Sequence, residues 1–147
     1  ISFPVSEMPE TSVTEPKSIS QIVSNRTYMA YLPAVVVAAG IAFVSLWENP
    51  QTAFSLQVND KLVHALMYAV LTIALLIPNM VRKRFAWHSY LTAGLVAFVY
   101  GGVMELLQAY CTATRTAEWA DMLADGAGVV IALVLVERIR NRLSVEK

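Results

Sequence analysis

The chain has 147 residues, of which 56% are hydrophobic and only 15% are charged, and its mean hydropathy is +0.53. A soluble domain is closer to half apolar and a quarter charged, so this composition argues against a soluble domain and predicts a membrane protein. Acidic and basic residues balance at 11 each, which predicts no basic surface for nucleic acid. Cys111 is the single cysteine, which excludes an internal disulfide and a CxxC metal motif.

The first 25 residues are polar and rich in serine, threonine, glutamate and proline. They lack the basic start and the apolar centre of a secretory signal. We expect residues 1–25 to form a disordered or interfacial tail without chemistry, and residues 26–147 to form one membrane domain.

Apolar stretches follow at about 28–47, 62–80, 87–110 and 119–136. About 20 apolar residues span a hydrocarbon core of about 30 Å, so each stretch predicts a transmembrane helix. Trp47, Trp87 and Trp119 lie at predicted ends, as in the aromatic belts of membrane proteins. The predicted fold class is all-α, a four-helix transmembrane bundle behind the N-terminal tail.

Basic residues predict the orientation of this bundle. They precede the first stretch, fill the turn after the second and follow the fourth: Lys17, Arg26, Arg82, Lys83, Arg84, Arg138, Arg140, Arg142 and Lys147. Cytoplasmic loops of membrane proteins carry an excess of lysine and arginine. We therefore expect both termini in the cytoplasm, with residues 48–59 and 111–118 in the outer loops.

Rows of small residues predict close packing between these helices. Ala120, Ala124, Gly128 and Ala132 recur every four positions in the last stretch. Such spacing lets helix backbones approach closely in lipid. In the third stretch a similar row leads to Glu105, which should point the carboxylate at a neighbouring helix.

The polar residues that are hardest to explain as ordinary surface gather at the predicted outer ends of three helices. They are Asp60, Lys61, His64, Tyr68, Glu105, Gln108, Arg115, Asp121 and Asp125. Asp60, His64 and Tyr68 are four residues apart and share a helix face. Ionisable groups at membrane depth are costly and usually face partners or water. The sequence therefore predicts a shared polar pocket open to the outer face.

Two roles are predicted within this pocket. We expect His64, Glu105, Asp121 and Asp125 to be catalytic, and Asp60, Lys61, Tyr68, Gln108 and Arg115 to bind substrate. His64 or Glu105 would act as acid or base, and Lys61 and Arg115 would hold phosphate. Carboxylates could also bridge a hard divalent ion. No metal motif of fixed spacing is present, however, so neither a metal nor a cofactor is predicted.

Each of these residues also has a structural interpretation. Asp60 and Asp121 suit helix N-termini, Lys61 suits the headgroup region, and Gln108 suits a hydrogen bond between helices. Arg115 would then be a counter-ion. On this view the polar residues would only pack the bundle.

Three segments together resemble the VanZ-like family of integral membrane proteins. They read DKLVHALMY from Asp60, GGVMELLQ from Gly101 and RTAEWADMLADGAG from Arg115. The family pattern is D-K-x-x-H-x-x-x-Y, then E-x-x-Q, then an arginine six residues before an aspartate. The chain departs at Asp125, where the family often has asparagine.

The resemblance implies a multi-pass protein of the bacterial cytoplasmic membrane in a family associated with resistance to the glycopeptide teicoplanin. Its expected partners are membrane lipids and a lipid-linked envelope precursor or a glycopeptide. Whether a reaction is catalysed stays open between an enzyme and a non-catalytic interaction protein. A proton-coupled small transporter is a further alternative, and with four spans it would need to form an oligomer.

Overall fold

The computed structural model describes residues 28–47, 60–112 and 118–145, and all of its regular elements are helices. They are α1 (Leu32–Leu46), α2 (Asp60–Val81), α3 (Trp87–Cys111) and α4 (Trp119–Val145). The predicted all-α class is confirmed, since the described ranges contain no strand. The predicted N-terminal tail, residues 1–25, lies outside them.

Helices α2, α3 and α4 are long and apolar enough to cross a membrane. They contain 22, 25 and 27 residues, which corresponds to about 33 to 40 Å at about 1.5 Å per residue. The first two begin and end within two residues of the predicted stretches. The last continues beyond residue 136 because arginines and other good helix formers extend it to Val145.

Helix α1 is shorter than the predicted stretch at 28–47. It has 15 residues, or about 22 Å, against a hydrocarbon core of about 30 Å. Pro33 occupies its first turn. Proline is tolerated there because backbone N–H groups in the first turn have no acceptor within the helix. Ala30 and Tyr31 form a turn before this start, so the helix does not extend back to Tyr28.

Consecutive helices run in opposite directions. Gln108 near the end of α3 contacts Ser45 near the end of α1, and Tyr100 contacts Ala38, so α1 and α3 are parallel. Helices α2 and α4 are likewise parallel, because Lys61 and His64 pair with Asp121 and Asp125. The start of α2, the end of α3 and the start of α4 therefore meet at one end of the bundle, which we call the cluster end.

Helices α2 and α4 approach each other most closely at Gly128. A Cβ atom added to Gly128 would lie 2.0 Å from the carbonyl oxygen of Ala65, so only glycine fits. Ala65 follows His64, and Gly128 lies one turn beyond Asp125. This backbone contact therefore sets the distance at which the histidine and the aspartate face each other.

The bundle is apolar on its outside and partly polar inside. Large side chains such as Val36, Leu95 and Ile131 are exposed, whereas His64, Glu105 and Asp125 are buried. In water this arrangement would be costly, and in lipid it is the expected one. Small residues such as Ala97 and Ala132 fill the contacts between helices.

Candidate functional site

His64 is the centre of the polar residues at the cluster end. It lies one turn into α2, is only 4% exposed, and faces carboxylates from two other helices. Its Nδ1 atom is 2.9 Å from Asp125 Oδ1 and 3.9 Å from Glu105 Oε1. Since an ionised carboxylate only accepts hydrogen bonds, Nδ1–H donates to Asp125 when that residue is charged.

The second ring nitrogen of His64 faces a further carboxylate. His64 Nε2 is 4.0 Å from Asp121 Oδ2, which lies one helical turn before Asp125. Asp121 Oδ1 accepts a hydrogen bond of 3.3 Å from Lys61 Nζ. The Lys61 side chain is 49% exposed, so this ion pair marks the edge of the cluster, and charge becomes more deeply buried from Lys61 towards Asp125.

Asp125 is the most deeply buried carboxylate in the cluster, at 1% exposure. Its Oδ1 atom contacts His64, but its Oδ2 atom is buried without a hydrogen-bond partner. Oδ2 lies against α3 at Gly101, where an added Cβ atom would be 2.9 Å away, and the same Cβ would be 3.2 Å from the ring of Tyr68. Gly101 thus leaves the space that Asp125 and Tyr68 occupy.

Glu105 belongs to the same cluster through a different contact. Its Oε2 atom accepts a hydrogen bond of 3.2 Å from the backbone N–H of Glu118, just before α4 begins. Its other oxygen faces His64. Glu105 therefore joins the ends of α3 and α4 while one of its oxygens remains directed at the imidazole.

Four predicted site residues remain, namely Tyr68, Asp60, Gln108 and Arg115. Tyr68 is 1% exposed beside the cluster, whereas Asp60 lies at the exposed start of α2. Gln108 donates its amide to the carbonyl oxygen of Ser45 at 3.1 Å, one of the last carbonyls of α1 that have no helical partner. Arg115 lies outside the described residues.

Sequence reasoning assigned no role to Glu118. Its backbone holds Glu105, and its side chain lies 3.6 Å from Lys61. The sequence feature that could have indicated a role for Glu118 is its position directly before Trp119, since acidic residues favour helix N-termini. Its contact with Glu105, however, depends on how two helix ends meet, which no local pattern contains.

The sequence predicts an open pocket, and the structure instead shows a nearly closed cluster. His64, Glu105, Asp121 and Asp125 are brought together as predicted, and each is less than 9% exposed. Their carboxylates outnumber Lys61 and His64, so the site favours a positive charge or a hydrogen-bond donor. Two sets of side chains place ligand atoms within 4.8 Å of one another, namely Asp60–His64–Asp121 and His64–Glu105–Asp125.

Comparison of the chain with protein-family models, with curated proteins and with solved structures finds no match.

Proposed function

We propose that the chain is an integral membrane protein of the VanZ-like type that performs acid–base chemistry on the polar part of a membrane lipid or lipid-linked envelope precursor. The observation that carries this proposal is the contact of His64 with carboxylates from two other apolar helices. Buried ionisable groups inside membrane helices are typical of functional sites. As far as the structure describes them, the three segments that resemble the family lie on the helices that meet in this cluster or directly before one of them.

The position of the cluster near one end of the bundle favours a headgroup as substrate. Lys61 and Glu118 are half-exposed at its edge, while the outer faces of the helices are apolar. A lipid can therefore keep its chains against the helices while its headgroup reaches the edge. A carboxylate or imidazole that is placed at a reacting proton contributes about 10²- to 10⁴-fold to a rate.

A proton-coupled transporter receives less support from the packing. Such a protein needs polar groups or water along the whole path. Beyond Asp125 the core consists of apolar side chains, among them Leu71, Leu76, Val129 and Val136. Thr72, which lies in this region, uses its hydroxyl to bond the carbonyl oxygen of Tyr68. Among the described residues, the buried ionisable carboxylates and imidazole thus stop at Asp125, well before the opposite end.

The proposed orientation has the cluster end outside and both termini in the cytoplasm. Arg140 near the end of α4 lies over the ring of Phe85 between α2 and α3, so the basic residues of both segments share the end opposite the cluster. This arrangement fits the cytoplasmic bias of basic residues. Phosphate-bearing envelope lipids in the outer leaflet would then face the cluster end.

Cys111 offers a direct test of this orientation. It is the only cysteine in the chain, and it is exposed at the end of α3, beside the cluster end. We expect a membrane-impermeant maleimide to label Cys111 in intact cells, with Cys111→Ser as the unlabelled control. Labelling that requires opening of the cells would contradict the proposed orientation.

The proposed reaction is tested by the lipids of cells that express the native chain or Glu105→Gln. This change removes the charge but keeps the size of the side chain. We expect the native chain to alter the mass of at least one envelope lipid or lipid-linked precursor and Glu105→Gln to lose at least about 100-fold of that activity. Mass spectrometry of the extracted lipids measures both.

Glu137→Gln is the matched control, because it makes the same change in a half-exposed residue at the other end of α4. It should retain native activity. A lipid profile that the native chain leaves unchanged would contradict the enzyme. If Glu105→Gln retains full activity, Glu105 has no acid–base role.

A further inference from the structure

The contacts of His64 Nδ1 have the dimensions of a metal centre. Asp125 Oδ1 and Glu105 Oε1 lie 2.9 Å and 3.9 Å from this nitrogen, and all three residues are buried. Ligand atoms at about 2.1 Å from a tetrahedral zinc ion are separated by about 3.4 Å. The two observed distances lie on either side of this value, and ligand atoms of all three residues lie within 4.8 Å of one another, so side-chain shifts could bring the three groups onto one ion.

A second observation concerns the other carboxylate oxygen of Asp125. Asp125 Oδ2 is buried and accepts no hydrogen bond. It lies against Gly101, one turn from Glu105 on the same face of α3. A carboxylate oxygen that is removed from water and left without a partner is strongly unfavourable. A cation between Asp125 and Glu105 would compensate both carboxylates.

From these two observations we propose that the cluster binds one divalent transition-metal ion, of the Zn²⁺ or Mn²⁺ class, through His64 Nδ1, Glu105 Oε1 and the carboxylate of Asp125. Imidazole nitrogen favours zinc and related ions, whereas a site of oxygen atoms alone would favour magnesium or calcium. Three protein ligands would leave a coordination position for water or a substrate oxygen. With the ion bound, Glu105 would act in the reaction as a ligand and not as an acid or base.

Asp121 and Lys61 would support such a site without touching the ion. With Nδ1 bound to the metal, the ring proton of His64 resides on Nε2, which faces Asp121 at 4.0 Å. Lys61 holds the other oxygen of Asp121 at 3.3 Å. A carboxylate behind a ligating histidine fixes its tautomer and ring orientation, and this is the role that the structure gives Asp121.

The overlapping set Asp60–His64–Asp121 is the weaker candidate. Its ligand atoms are also within 4.8 Å of one another, but Asp60 is exposed and Asp121 already pairs with Lys61. An ion bound there would use the opposite ring nitrogen of His64. Substitutions at Asp60 and Glu105 therefore separate the two sets.

The test is metal binding by the purified full chain in detergent micelles. After treatment with a chelator, the protein is titrated with Zn²⁺ and, in parallel, with Mn²⁺, and the metal that remains after gel filtration is counted. We expect one ion per chain. Asp125→Asn and Glu105→Gln, which preserve side-chain size, should each weaken binding by at least about 100-fold, and Asp121→Asn by about 10-fold.

Co²⁺ provides a readout that reports the histidine directly. We expect the visible absorption of bound Co²⁺ in the native chain and its loss in His64→Gln. His88→Gln, which changes the exposed histidine of α3, should keep it, and Asp60→Asn should keep native affinity. Circular dichroism confirms that each variant retains its helices.

Failure of the folded native chain to bind either ion in a one-to-one ratio would overturn this inference. So would native affinity in Asp125→Asn, or a loss in Asp60→Asn that Glu105→Gln does not share. The inference rests on the site of the proposed function, but the outcomes are separable. Metal binding without a changed lipid refutes the reaction alone, and a changed lipid without metal binding refutes the metal alone.

Discussion

The two ends of the bundle differ in how deeply their charged side chains are buried and in where the partners of those side chains lie. At the cluster end, His64 and Asp125 are 4% and 1% exposed, and each depends on side chains from another helix. At the other end, Arg140 pairs with Glu137 one turn away on the same helix, and their side chains are 31% and 40% exposed. Exposed pairs contribute little to stability, whereas a buried charge is costly once its partner is removed.

This difference suggests that the charged residues at the Arg140 end orient the helices in the membrane, whereas those at the cluster end serve the proposed chemistry. Arg140 lies over the rings of Phe85 and Tyr90, at 5.6 Å and 5.7 Å. These contacts fix the last turns of α4 against the start of α3 and suit a headgroup region. At the cluster end, carboxylates from α3 and α4 converge on the imidazole of α2. Within the part of the chain that the structure describes, only the cluster end combines contacts between helices with buried ionisable groups, and we therefore place the proposed function there.

The largest predicted effect follows from removing one member of the buried cluster. Asp125→Ala leaves His64 Nδ1 facing Glu105 alone and opens a cavity beside Gly101. Breaking a buried pair costs about 3–5 kcal/mol, and we expect a loss of this size in the free energy of unfolding. SDS-induced unfolding of the protein in mixed micelles, followed by circular dichroism, measures it.

Glu137→Ala is the matched change at the opposite end. It removes a half-exposed carboxylate whose ion pair, with Arg140, lies within α4, so we expect a loss below about 1 kcal/mol. Equal losses in the two variants would remove the distinction between the ends. A stable Asp125→Ala that has lost metal binding or activity would instead show that the cluster serves function alone.

The elements of the fold were largely predictable from sequence, because apolar length and aromatic edges depend on local composition. The stretches at 62–80 and 87–110 became α2 and α3 with nearly the same bounds. The stretch predicted at 28–47 was too long. Helix α1 begins only at Leu32, with Pro33 in its first turn. The extension of α4 to Val145 was missed because hydropathy reports burial in lipid and not helix continuity.

The four buried ionisable residues of the cluster could be picked out from the sequence, whereas Glu118 and the pairings could not. A carboxylate such as Glu105 inside an apolar span is conspicuous in the sequence. That Asp125 rather than Asp121 approaches His64 most closely depends on the register of α2 against α4. Gln108 shows the same limit, because its acceptor, the carbonyl oxygen of Ser45, is backbone and has no signature in sequence.

A smaller effect is expected where the backbones of α2 and α4 meet. In Gly128→Ala the new methyl group would collide with the carbonyl of Ala65, 2.0 Å away, and only separation of the helices relieves this. Overpacking of this kind costs about 1–3 kcal/mol, and we expect the upper end of the range. The same separation should pull His64 from Asp125, so metal affinity should fall together with stability.

Gly94→Ala is the comparable change in the half of the bundle away from the cluster end. Its methyl group would meet the side-chain tip of Leu133 at 3.1 Å rather than backbone. A side chain can rotate, and alanine favours the helix over glycine by about 1 kcal/mol, so we expect a change within about 1 kcal/mol. SDS-induced unfolding and Zn²⁺ titration measured on both variants decide the outcome. If Gly94→Ala lost as much stability and metal affinity as Gly128→Ala, the spacing of α2 and α4 at the cluster end would not be the controlling feature, because contacts between α3 and α4 would matter as much.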